Sequence, residues 1–102
     1  MKNPKGKGIR FEREVRNKLR AINWFCVRQA ASAFPDLVAV RPLIRVPLFI
    51  ECKCGKYISK AERKKLTDLE MFGDAAIAYP IKEGRKKIIM ITYLNGDELI
   101  RL

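Results

Sequence analysis

Residues 35–53 read PDLVAVRPLIRVPLFIECK. Two apolar segments, DLVAV and PLFIECK, flank a short stretch containing Pro42 and two arginines. A turn over Arg41–Val46 predicts an antiparallel hairpin that pairs Val40 with Pro47, Val38 with Phe49 and Asp36 with Glu51. Directly opposed residues hold their Cβ atoms roughly 4.5–5.5 Å apart. Side chains alternate faces along a strand, so Glu51 and Lys53 point the same way and Cys52 points away. The apolar middle belongs in a core, and two carboxylates and an ammonium converge at its charged ends.

Opposed carboxylates destabilise a strand pair. A bound divalent cation reverses that sign, and a small site with two acids suits Mg²⁺, which keeps several waters and binds few protein carboxylates. Taken singly, Glu51 and Lys53 would pass for a solvated strand end, and Asp36 for a turn cap after Pro35. Acid, then acid-x-Lys, at hairpin spacing is a more demanding coincidence.

The charge balance indicates the substrate. The chain has 102 residues, with 22 Lys and Arg against 11 Asp and Glu, a net +11. So much like charge on one small domain repels itself and calls for a polyanionic partner, most simply nucleic acid. The basic residues are grouped in 1–20, 53–65 and 82–87. From the residues alone the reading is a metal-dependent nuclease. A basic DNA-binding protein without catalysis is the alternative from another class. A membrane-surface role is weaker, because the basic first helix needs its apolar stripe for the core. No apolar run approaches the roughly 20 residues of a membrane span. The basic N-terminus leads into charged sequence and does not read as a secretory signal, so the expected location is cytoplasmic and nucleoid-associated, or the host cytoplasm for a viral chain. With no histidine and three cysteines, Cys26, Cys52 and Cys54, His-based triads are excluded and buried free thiols are favoured over structural zinc.

Length fits one domain. Residues 1–8, with Pro4 and two glycines, read as a flexible basic arm, and 9–102 as a single domain. Phe11, Val15, Leu19 and Ile22 form one helical stripe. NWFCVRQ, DLVAV and PLFIECK read as strands. YISKAERKKLTDLEMFG reads as a helix with a Ser59/Glu62 capping box, a Leu66/Leu69/Phe72 stripe and Gly73 as its stop. AAIAYPI and KIIMITYL are strands, and Asn95-Gly96 is a tight turn before a short last one. Trp24, Phe25 and Phe72 read as core. The order α-β-β-β-α-β-β, with a last short strand, gives an α/β fold with a mixed sheet flanked by helices.

PD, fourteen residues, then ECK resembles the PD-(D/E)xK nuclease signature. GIRFEREV adds a Glu-Arg pair on the first helix, and CVRQAASAFPDLVAV adds an arginine and a serine before the acid. This order and spacing is similar to the archaeal Holliday junction resolvase family, cellular or archaeal-viral. The resemblance implies a restriction-endonuclease-like nuclease core and a two-fold homodimer that resolves four-way DNA junctions by paired phosphodiester nicks. A restriction-like or repair nuclease acting on duplex or flap DNA is the alternative within the enzyme class. The resemblance also implies Glu12, Asp36 and Glu51 as Mg²⁺ ligands (Mn²⁺ substituting) and Lys53 as the catalytic lysine. Arg13, Arg28 and Ser32 become DNA-facing, and the basic clusters add Lys5, Lys7 and Lys56.

Overall fold

The computed structural model describes residues 4–29, 34–55 and 58–102, with side chains from residue 8 onward in the first helix. The elements are α1 (Pro4–Ala21), β1 (Phe25–Arg28), β2 (Leu37–Val40), β3 (Leu48–Cys52), α2 (Lys60–Leu69), β4 (Asp74–Glu83), β5 (Lys86–Tyr93) and β6 (Glu98–Arg101). This is the expected order. The strands lie in one sheet in sequence order, β1 to β6. All neighbours are antiparallel except β3 and β4. A parallel pair needs a crossover, and α2 supplies it.

The hairpin register is the expected one: Val38 lies opposite Phe49, and Ala39 opposite Leu48. Period-two alternation sets it, because a slip of one residue would turn Leu37, Ala39, Leu48 and Ile50 out of the core. All four are fully buried. They meet Phe11, Val15 and Leu19 of α1, with Cys26, Ala76, Ala78, Ile89 and Ile91. Alanines at 39, 76 and 78 leave room for the helix. Arg20 Nε donates to the Cys26 carbonyl at 2.9 Å and ties the end of α1 to β1. Gly96 takes a positive φ of 94° in the expected turn between β5 and β6, a conformation that glycine adopts without strain.

Four expectations need correction. The helix begins at Pro4, inside the stretch read as a flexible arm; proline is compatible with the first helical turn, and the helix runs on through both glycines. Ile22 falls past the end of α1 and is 40% exposed. Helix α2 stops at Leu69 with Glu70 as its cap, so Gly73 does not end it. Glycine is required there for space: an added Cβ would lie 2.4 Å from the Pro47 carbonyl oxygen. Finally, Phe25 and Phe72 are not core, being 65% and 67% exposed.

The exposed apolar residues share a cause. Helix α1 packs against β1 and β3, whereas the main strand contacts of α2 are with β3 and β4. Among the described residues, Phe25, Val27 and Val40 are exposed on the other face of β1 and β2, as are Leu43, Ile44 and Val46 in the adjoining loop and Met71 and Phe72 after α2.

Candidate active site

The charged ends of the hairpin meet where β1 and β3 finish and β2 starts. Two side-chain-to-backbone hydrogen bonds lock them. Asp36 N donates to Glu51 Oε1 at 3.2 Å, and Cys52 N donates to Asp36 Oδ2 at 2.9 Å. Each acid therefore satisfies a backbone group of the opposite strand, and the carboxyls are held side by side. Neighbouring ladders extend past the strand ends: Gln29 N donates to the Asp36 carbonyl, and Lys53 N to the Ala78 carbonyl, both at 2.9 Å. Lys53 Nζ lies 3.9 Å from Glu51 Oε2 and hydrogen-bonds to Glu62 of α2.

The electrostatics follow from this packing. Glu51 is only 6% exposed. Burial, then the charge of Asp36 and a hydrogen bond between the two carboxyl groups, pushes Glu51 up to about 8, against the pull of the Asp36 N–H and Lys53. Its folded value exceeds its ordinary value of 4.5. The proton on Glu51 therefore stabilises the metal-free fold fully below the ordinary value, and that contribution is lost as pH rises towards 8. Burial disfavours the Lys53 ammonium, but Glu62, then Glu51 and Asp36, carry it above its usual range. Burial also opposes the Glu62 carboxylate, yet Lys53 and Ser59 bring it down to about 2.

Glu12 reaches the same region from the α1 side. Burial raises its carboxyl, Asp36 raises it further, and Arg28 opposes. Its oxygen sits 3.2 Å from Arg28 Nε, with both side chains 18% exposed. That pairing is an ion contact without hydrogen-bond alignment. Arg28 thus turns inward to Glu12, and Arg13 is exposed on α1. Ser32, Lys56 and the side chains of Lys5 and Lys7 lie outside the described residues. A groove lined by Arg10, Phe11, Glu14, Cys54, Lys82 and Lys87 joins basic residues of the first and third clusters beside Cys54, one residue after Lys53. Cys26 is buried, and Cys52 and Cys54 are partly so.

Among the described residues, no three His, Cys, Asp or Glu side chains are gathered closely enough to hold a metal ion between them. The donor chemistry still fits a hard cation: two adjacent carboxyls with a third nearby, where burial first and the charge of Asp36 second favour the protonated forms of Glu51 and Glu12. Mg²⁺-type sites take one or two carboxylates and complete their shell with water and phosphate oxygens.

Two features were missed by sequence reasoning. Arg41 is not an exposed turn residue; it is 8% exposed. Its Nη2 donates to Asp74 Oδ2 at 2.7 Å, and the guanidinium stacks 5.9 Å from the Trp24 ring centre. Glu62 was read as a cap alone, and nothing in its spacing signals the contact with Lys53.

A mixed sheet with Asp36, Glu51 and Lys53 at paired strand ends is the arrangement expected of the PD-(D/E)xK nuclease class, which generally uses divalent metal. The family model for the archaeal Holliday junction resolvase (Hjc) matches residues 3–100, and the chain belongs to that family of junction-resolving endonucleases. The crystal structure of Archaeoglobus fulgidus Hjc, a Holliday junction resolvase from an archaeal hyperthermophile, has a TM-score of 0.67 and 26% identity. That match covers 86% of this chain and 78% of the other. The fold is thus restriction-endonuclease-like. Comparison with curated proteins gave no match. Among the described residues, no helix is long and apolar enough to cross a membrane.

Proposed function

We propose that this endonuclease cuts four-way DNA junctions by paired nicking as a homodimer, with Mg²⁺ at Asp36 and Glu51, Mn²⁺ substituting, and Glu12 alongside. The observation that carries this reading is the cross-strand lock between Asp36 and Glu51, beside Lys53. A bound divalent cation supplies water activation and neutralises charge on the phosphate. Asp36 and Glu51 provide its carboxylates. Lys53 presents an ammonium to the phosphate oxygens as negative charge builds. Arg28 holds Glu12 in place. Arg13, Ser32, Lys5, Lys7 and Lys56 track the DNA backbone with the basic groove, and the protein works in the cytoplasm, at the nucleoid or in a virus's host.

The exposed apolar face of β1 and β2 supports the dimer. Phe25, Val27 and Val40 are exposed on these two strands, with Leu43, Ile44 and Val46 in the adjoining loop. Exposed apolar surface grouped on one sheet face is the kind that interaction sites use. A second copy is the fitting occupant. Resolution needs two cuts in opposing strands of a nearly two-fold substrate, and a two-fold dimer supplies two equivalent sites.

The test compares a synthetic four-way junction with a linear duplex of the same sequence. The expected result is Mg²⁺-dependent symmetric nicks in the junction, by a species sedimenting at twice the chain mass. Equal cleavage of both substrates would indicate a restriction-like or repair nuclease, and tight binding without nicking a pure DNA-binding protein.

A further inference from the structure

The N-terminal cap of α2 has a second occupation. Ser59 Oγ accepts from Glu62 N, and Glu62 Oε1 accepts from Ser59 N, both at 3.1 Å. This capping box uses one carboxylate oxygen of Glu62. The other, Oε2, accepts from Lys53 Nζ. The Lys53 and Glu62 side chains are only 26% and 27% exposed. Lys53 is therefore held at both ends, its backbone N–H on the Ala78 carbonyl and its ammonium on Glu62.

We propose that Glu62 is a positioning residue for strand cleavage: its carboxylate holds the Lys53 ammonium at the edge of the Asp36–Glu51 pair. This rests on the assignment of Lys53 to catalysis given above. A lysine ammonium sits on a flexible four-carbon stem, and without a partner on α2 the nearest acid to Lys53 is Glu51. An ammonium drawn fully onto Glu51 would neutralise a carboxylate that the cation needs. Glu62 takes the direct hydrogen bond and leaves Glu51 at 3.9 Å. The capping box fixes Glu62 in turn, so the anchor does not wander.

Glu62→Gln separates this role from helix capping. Glutamine also completes a capping box, so the helix end survives while the charge that holds Lys53 is lost. Single-turnover nicking of a four-way junction, junction affinity and Tm are measured for Glu62→Gln, Ser59→Ala, Lys53→Ala and the Lys53→Ala/Glu62→Gln double variant. The expected result for Glu62→Gln is nicking slowed roughly tenfold to a hundredfold, with affinity unchanged and Tm lowered only modestly by loss of the ion pair. Ser59→Ala lowers Tm without slowing nicking, and Glu62→Gln has no further effect once Lys53 is gone. Wild-type nicking by Glu62→Gln overturns the proposal. So does slowing that merely follows Tm loss across Glu62→Gln and Ser59→Ala, or a full additional loss in the Lys53→Ala background. Full activity in Lys53→Ala overturns the assignment of Lys53 and this proposal with it. An inactive Lys53→Ala beside a fully active Glu62→Gln overturns the role of Glu62 alone.

Discussion

Asp36→Asn is expected to slow junction nicking by roughly 10³-fold or more, about 4 kcal/mol of barrier, while junction binding persists. The substitution is nearly isosteric. Its side-chain oxygen can still accept the 2.9 Å hydrogen bond from Cys52 N, so the hairpin keeps its register. What disappears is one of two carboxylates available to a cation. Binding survives because affinity for a phosphate backbone comes from distributed Lys and Arg, of which the chain has 22. Single-turnover cleavage and a gel-shift titration on the same preparation check this. Rapid nicking by a well-folded Asp36→Asn would remove Asp36 from the site.

Gly73→Ala is expected to cost about 3 kcal/mol of stability, the upper end for forcing an extra methyl into a packed site. The added Cβ would lie 2.4 Å from the Pro47 carbonyl oxygen, 2.9 Å from Pro47 Cγ and 3.1 Å from Phe49 Cε2. The carbonyl is backbone and cannot swing aside. It also accepts from Asp74 N at 2.9 Å, next to the Leu48/Asp74 pair that begins the parallel β3–β4 ladder. That ladder continues to Lys53, whose N–H bonds to Ala78, so strain at Gly73 spreads towards the site. At roughly 4–8 °C per kcal/mol for a domain of this size, Tm should fall by about 10 °C or more. A thermal melt showing an unchanged Tm would mean that α2 and β4 meet more loosely than the structure has them.

The hairpin was legible because its signal is local. Alternation with period two and a short turn leave one register that buries Leu37, Ala39, Leu48 and Ile50, and that register alone sets Asp36 beside Glu51. The Ser59/Glu62 box was legible for the same reason, since its partners lie three residues apart. What failed depended on distant surfaces. Phe25 and Phe72 have core composition, but their exposure is decided by how far α2 reaches across the sheet. Gly73 looked like a helix stop because glycine often is one; its actual constraint is Pro47, 26 residues earlier in the chain. Arg41 sits in a turn by sequence, yet Asp74 and Trp24 draw it inward. The pairing of Glu12 with Arg28 joins a helix to a strand and leaves no trace in spacing.

The central claim is that the strand ends form an electrostatic cost which a divalent cation relieves. Calorimetric titration of the metal-free protein with Mn²⁺, in buffers of different ionisation enthalpy, tests it most directly. Burial and Asp36 push the Glu51 carboxyl up to about 8, so a cation competes with its proton. The account predicts net proton release on cation binding at pH 7, affinity that rises with pH, and no such binding by Asp36→Asn. Binding that releases no proton, is indifferent to pH and is unaltered in Asp36→Asn would contradict it.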